Sequence, residues 1–125
     1  MKTNEIVKLT REAIAELLRS REAPDNQFQG AERRRAPRWP FPGTVELRRP
    51  DENDPALWFA TCRDVGATGV GMTTDHYFKP GTRLDVALHL PEASFYGKAT
   101  VRYCVEVEDE TQDQYAMGLE FDFDA

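Results

Sequence analysis

The chain has 125 residues, 30% of them charged, with sixteen Lys/Arg against twenty-two Asp/Glu and a net charge of −6. That length suits one packed core with an appendage and excludes two sizeable domains. No apolar run approaches the ~20 residues of a membrane-spanning helix, and the amino terminus lacks the layout of a secretory leader, so a cytoplasmic protein without membrane insertion is expected.

Charge is distributed unevenly. Residues 1–50 carry eleven Lys/Arg against seven Asp/Glu, net +4, whereas residues 51–125 carry five against fifteen, net −10. A basic patch calls for an anion, but the acidic body would repel a long polyphosphate, which argues against a nucleic-acid polymer and for a small anion bound at one spot. Cys62 and Cys104 belong to no CxxC pair and read as two reduced thiols.

In chain order, residues 1–23 read as an amphipathic helix. From Asn4 to Glu22 there is no Gly or Pro, and Ile6, Val7, Leu9, Ala13, Ile14, Leu17 and Leu18 recur at three- and four-residue steps. Thr3 or Asn4 can cap its start. Its apolar stripe leaves two readings open: it packs on the chain's own barrel, or it docks a protein partner or a second copy as a homodimer.

Residues 24–32 are polar apart from Phe28 and read as a linker. They lead into Arg33-Arg34-Arg35-Ala36-Pro37-Arg38, the densest charge cluster in the chain. Pro37, Pro40 and Pro42 hold its downstream side extended, because proline fixes φ and biases the preceding residue away from helix.

The rest alternates as strands do. Val45–Leu47, Leu84–Leu90, Val101–Val107 and Tyr115–Phe123 each place apolar residues at every second position. Residues 57–63 and 68–74 supply two more strands around Asp64-Val65-Gly66-Ala67-Thr68-Gly69. Pro80-Gly81, Pro91-Glu92 and residues 108–113 punctuate them as turns. About six short antiparallel strands with no helix between them define an all-β fold, and closing them into a small barrel removes exposed edges.

Chemistry follows from the side chains. A guanidinium is a planar fork of donors that matches a phosphate or the O6/N7 edge of guanine, and its flat face stacks on a base. The Asp64 carboxylate complements the N1–H and N2–H donors of guanine. Gly66 and Gly69 would let the backbone turn tightly and bring its own N–H groups close to a ligand. Guanine edges plus phosphates are what such groups suit; taken by itself the arginine cluster reads equally as a nonspecific phosphate patch or as plain solvated charge.

Order and spacing add a resemblance. Arg34-Arg35-Ala36-Pro37-Arg38 fits RxxxR, and Asp64–Gly69 fits the frame of [DN]xSxxG, followed by a PG turn, a Leu/Val strand and a closing Gly-Leu-Glu-Phe. Over residues 33–123 the chain resembles the PilZ domain, the bacterial receptor module for cyclic di-GMP. The resemblance implies a six-stranded antiparallel β-barrel preceded here by the N-terminal α-helix. It implies a noncatalytic receptor that relays the second-messenger signal to a protein partner, with no cofactor beyond its ligand. Arg34 and Arg38 would hold guanine and phosphate, Asp64 a guanine edge, and Gly69 the closing glycine position. Arg33, just before the motif, implies an intercalated pair of cyclic di-GMP molecules rather than one. Trp39 follows Arg38 and is either a cover over bound guanine or a core or rim residue. One position departs from the pattern: Gly66 stands in the serine slot. The missing hydrogen bond, worth ~0.5–1.5 kcal/mol, would weaken binding by about an order of magnitude. It also keeps open a ligand-independent adaptor that binds only protein.

Other polar residues point to no chemistry. His76 and His89 lack a third ligand for a metal. Ser20 and Ser94, the only serines, sit in no GxSxG elbow. Glu106, Glu108, Asp109, Glu110 and Asp113 read as a solvated hairpin.

Overall fold

The computed structural model describes residues 6–21, 38–50, 56–107 and 114–123; for Arg21, Arg38, Trp39 and Phe41 it describes the backbone alone. The expected linker at 24–32 and the acidic hairpin at 108–113 lie outside the described residues. The elements are β1 (Ile6–Lys8), α1 (Arg11–Arg21), β2 (Arg38–Arg48), β3 (Leu57–Gly66), β4 (Gly69–Thr74), β5 (Arg83–His89), β6 (Ser94–Val107) and β7 (Gln114–Phe121).

The sheet order is β1-β6-β5-β2-β3-β4-β7, and β6 pairs with β7 as well, so strands β2 to β7 close into a six-stranded antiparallel barrel. The inward positions are the apolar ones of the alternation: Val45 and Leu47, Val70 and Met72, Leu84, Val86 and Leu88, Met117, Leu119 and Phe121. All are 6% exposed or less and form one cluster. Pro40 and Pro42 are accommodated because β5 pairs only with Thr44–Arg48, leaving the first half of β2 bound to β3 alone.

Alternation fails at two points. In β3 the pairing with β4 steps from Cys62↔Met72 to Asp64↔Gly71, and in β6 the pairing with β7 steps from Val101↔Leu119 to Tyr103↔Gly118. Arg63 and Arg102 are therefore extra residues, and each bulge reverses which face the following side chains take. Cys62 and Val65 are both buried, three residues apart, as are Val101 and Cys104. The expectation that Val101, Tyr103, Val105 and Val107 share one face is corrected accordingly: the last three are 37%, 53% and 41% exposed.

The N-terminal segment is also corrected. A helix from Asn4 was expected, but Ile6–Lys8 is a strand parallel to β6, with Ile6 opposite Ser94 and Lys8 opposite Tyr96. The reason lies in β6. Strand β7 reaches only to Ala99 on that edge, leaving the backbone groups around Ser94–Tyr96 to be paired, and Ile6 and Val7 are β-branched. The helix starts at Arg11, where Thr10 caps it: the Ala13 N–H donates to Thr10 Oγ1 at 3.0 Å.

Leu9 anchors this segment. Its N–H donates to the Tyr96 carbonyl at 2.7 Å, and its side chain fills the space above Gly97, where an added Cβ would lie 2.7 Å from the Cβ of Leu9. Leu9, Ile14 and Leu17 are all buried and belong to the barrel's own core cluster. The apolar side of the helix thus faces the chain's own barrel, and Arg11, Glu12, Glu16, Arg19 and Ser20 face solvent.

Removing Leu9 should therefore cost core stability. Leu9→Ala is expected to destabilise the whole domain by about 2–4 kcal/mol, the range for a buried Leu truncation, in a single cooperative denaturant transition. A loss below about 0.5 kcal/mol would mean that the segment is an independent appendage.

Candidate functional site

The two motifs meet through backbone register. In the β2–β3 pair, Arg38 lies opposite Gly66, Trp39 opposite Val65 and Pro40 opposite Asp64. The end of the arginine segment is thereby fixed beside the Asp64–Gly69 loop. Arg33 and Arg34 lie outside the described residues, and Arg38 and Trp39 are placed by backbone only.

Asp64 owes its orientation to the Arg63 bulge. Strict alternation from Ala60 and Cys62 would carry residue 64 into the core, whereas the bulge hands the inward position to Val65. Asp64 is turned to the outer face, half-buried, with its Oδ1 withdrawn from solvent. Arg63, exposed on the bulge itself, places a guanidinium next to that carboxylate in the chain. Reading the sequence missed Arg63; the signal was a charged residue interrupting the alternation of β3.

The glycines act differently from expectation. Among the described residues only Gly81 has positive φ, at 95°, so neither Gly66 nor Gly69 supplies a left-handed turn. Gly69 is required by proximity: a Cβ there would collide with the carbonyl oxygen of Leu119 on β7. The loop is held to the same strand by the Phe121 N–H, which donates to the Thr68 carbonyl at 2.8 Å. Gly66 is buried at the end of β3.

Behind Asp64, the Cys62 thiol is pushed up from 9.0 to about 12, first by burial and then by the neighbouring Asp64 charge. It is a protonated core side chain, and Cys62 and Cys104 are both buried and unbridged.

Elsewhere, Trp58 stacks with His76 and Phe78, ring centroids 4.8 and 5.1 Å away, with the Arg49 guanidinium 5.6 Å from its ring, so it is a rim residue of the core. His89 bonds Ser94 Oγ through Nδ1 at 2.8 Å and Glu46 through Nε2 at 3.1 Å. That order resembles a nucleophilic triad. Activating a serine requires a desolvated site with donors aimed at a developing oxyanion, and here His89 and Glu46 are 42% and 35% exposed on the open sheet. Two recesses of about 390 Å³ flank the N-terminal segment, one bordered by Leu9, Tyr96 and Phe123, the other by Val7, Leu17 and Phe95. Neither touches Asp64 or Gly66, and their mainly apolar linings suit a charged ligand poorly. Among the described residues no three His, Cys, Asp or Glu side chains are grouped to hold a metal, and no helix is long and apolar enough to cross a membrane.

A sequence model of the PilZ domain matches residues 32–125. The chain belongs to the PilZ domain family. Solved structures share the fold. The PilZ domain of YcgR from Escherichia coli, with c-di-GMP, superposes with a TM-score of 0.58 at 15% identity, covering 72% of this chain and 78% of that one. The Bacillus subtilis inhibitor of motility MotI/DgrA gives 0.55 at 22% identity, covering 72% and 43%. The K. pneumonia MrkH–c-di-GMP complex gives 0.60 at 18%, covering 75% and 46%. The chain therefore spans less than half the length of the latter two. No curated protein sequence matches it.

The thiol yields a pH prediction. Between about pH 9 and pH 12 an unfolded Cys62 ionises while the folded one keeps its proton. Its contribution is therefore complete below about pH 9 and is lost as pH rises towards 12, at up to about 1.4 kcal/mol per pH unit. Denaturant titrations across that window should show a shallower decline for Cys62→Ala than for the wild type. Parallel declines would contradict the assignment.

Proposed function

We propose that this PilZ domain is a noncatalytic cyclic di-GMP receptor that passes the signal to a protein partner in the cytoplasm. The observation that carries this reading is the register of β2 on β3. It sets Arg38 opposite Gly66 and Pro40 opposite Asp64, so the end of the arginine segment lies beside the acidic loop. On it, Arg34 and Arg38 bind guanine and phosphate, Asp64 accepts from a guanine edge, and Gly69 lets the loop lie against β7. Trp39 covers the base. Arg33 supplies the charge for a second ligand molecule, giving an intercalated pair. The partner, or a second copy of the chain, docks on a surface other than the apolar helix face, which the barrel covers.

Calorimetric titration with cyclic di-GMP tests this. Two ligands per protomer are expected for the wild type, with a shift towards one in Arg33→Leu. Arg34→Ala and Arg38→Ala should each abolish detectable binding, and Arg48→Ala and Arg49→Ala should leave it unchanged. Equal losses at all four would indicate diffuse electrostatics instead, and a wild-type isotherm saturating at one ligand would refute the pair.

Gly66 offers a gain-of-function test. Its φ is not positive, so a side chain there meets no left-handed backbone penalty. Gly66→Ser should raise affinity by up to about tenfold, the worth of one charge-assisted hydrogen bond, with the unliganded melting temperature preserved. If that variant is as stable as the wild type and neither binds cyclic di-GMP, the ligand-independent adaptor is the correct reading.

A further inference from the structure

The connections between strands divide the chain's charge. Strands β2, β4 and β6 end, and β3, β5 and β7 begin, at one end of the barrel, with Arg48 opposite Leu57, Thr74 opposite Tyr115 and Val107 opposite Gln114. The three segments that join them, residues 49–56, 75–82 and 108–113, carry eight Asp/Glu against two Lys/Arg, net −6. The segments at the opposite end, residues 67–68 and 90–93, carry a single charge, that of Glu92. The chain is therefore bipolar. Its arginine segment reaches the barrel at the end where Arg38 meets Gly66, and its carboxylates are concentrated in the connections of the other end.

The same end carries aromatic side chains held in place. Tyr77 stands between His76, which stacks on Trp58, and Phe78, which is buried in the core. The His76 N–H donates to Thr74 Oγ1 at 3.3 Å, and beyond Phe78 the Gly81 N–H donates to the Val101 carbonyl at 2.8 Å. Fixed on both sides, Tyr77 is nevertheless 48% exposed and meets Tyr115 edge-on, ring centroids 5.7 Å apart. Leu57 and Val107 add exposed apolar surface where β3 begins and β6 ends. A prefixed aromatic loses little freedom on docking, and Trp and Tyr are enriched among the residues that dominate interface energies. This end also shows what its rings accept: the Arg49 guanidinium already lies over Trp58.

We propose that this end of the barrel is the surface that receives the protein partner, and that the segment it receives is basic. Partner Lys or Arg side chains lie over Tyr77 and Tyr115 by cation–π attraction, and the acidic connections steer and hold them. This rests on the relay reading above and supplies its output surface, at the opposite end from the two motifs, so ligand and partner do not compete. The other conceivable occupant is the arginine segment of a second copy. That contact would be head-to-tail, would extend into an open chain of copies, and would consume the arginines assigned to the ligand.

The test is fluorescence anisotropy of a labelled oligo-arginine peptide titrated with the full chain. Neutralising one connection, with Glu108→Gln, Asp109→Asn and Glu110→Gln together, should weaken binding by about tenfold. The same loss of charge on the strands, with Glu46→Gln, Asp85→Asn and Glu120→Gln, should change it less than about twofold. Tyr77→Ser should cost about two- to fivefold, and Tyr77→Phe almost nothing, since the ring face is kept. Equal losses for the two triple variants, or none for Tyr77→Ser, overturn the proposal. Amide and indole shifts in the wild type give a readout that no variant's folding can disturb: changes centred on Trp58, Tyr77 and Tyr115 are expected, and changes as large at Asp64 or Glu46 overturn it. Sedimentation velocity addresses the second copy, because self-association that disappears in Arg34→Ala would assign this end to the chain's own arginines. Calorimetry with cyclic di-GMP separates the two readings. Ligand binding without site-selective peptide binding overturns the docking surface alone, whereas selective peptide binding without ligand binding upholds the surface and overturns the receptor.

Discussion

Strand β6 is the constraint on which this barrel depends. One edge pairs with β5 from Ser94 to Thr100, and the other with β7 from Ala99 to Val107 and with β1 from Ser94 to Tyr96. A fourteen-residue strand that serves three neighbours must bend, because one flat ribbon cannot lie along both walls of a small barrel. The bulge at Arg102 absorbs the bend. The cost of closure is a strand whose outer half exposes Tyr103, Val105 and Val107. What closure secures is a sheet in which the antiparallel strands β2 to β7 each have a partner on both sides.

The same device appears in β3, and this joins fold to site. A bulge inserts one residue, reverses the facing of everything after it and strengthens local twist. At Arg63 it keeps Val65 in the core and sends a carboxylate outward. At Arg102 it keeps Cys104 in the core and sends an aromatic outward. Neither Asp64 nor Tyr103 would face solvent in a regular strand. The outward facing of Asp64 is thus a consequence of how the barrel bends.

Much of this was legible in the residues. Period-two alternation located four of the six barrel strands, the stretches on either side of the Asp64–Gly69 turn supplied the other two, and the inward sets of β5 and β7 follow alternation directly. The pairing of arginine segment and acidic loop was legible as a family resemblance, and the register brings those segments together. What escaped the sequence were features decided by a partner strand. Alternation predicts facing only until an extra residue enters the ladder, so Tyr103 read as core and Arg63 drew no reading of its own. The helical periodicity of Ile6–Leu18 was real from Arg11 onwards. Its first turn was lost because an unfilled edge on β6 offers Ile6 and Val7 better pairing than an isolated helix start does. Gly69 read as a turn residue because a glycine's need for space leaves no mark distinct from its need for positive φ.

Electrostatics then decides how an acidic protein can present an anion site. Residues 51–125 carry a net −10, yet at physiological salt charges separated by much more than ~8 Å across the solvent are screened from one another. Several cations of the barrel body are also engaged locally: Lys98 with Asp85 at 2.6 Å, Arg102 with Glu120 at 2.9 Å, and Arg83 with Asp122. Such exposed pairs add little stability, but they offset acidic charge on β5, β7 and the residue after it. The potential at the proposed site is therefore governed by its immediate neighbours, Asp64, the exposed Arg63 and Arg38, which β2 sets opposite Gly66. Of these, Asp64 alone is acidic, and in the proposed complex its charge meets a guanine edge rather than a phosphate. On the proposed reading an anion is tolerated on this surface because its phosphates and its base meet different side chains, Arg38 set opposite Gly66 and Asp64 two pairs further along the same β2–β3 ladder.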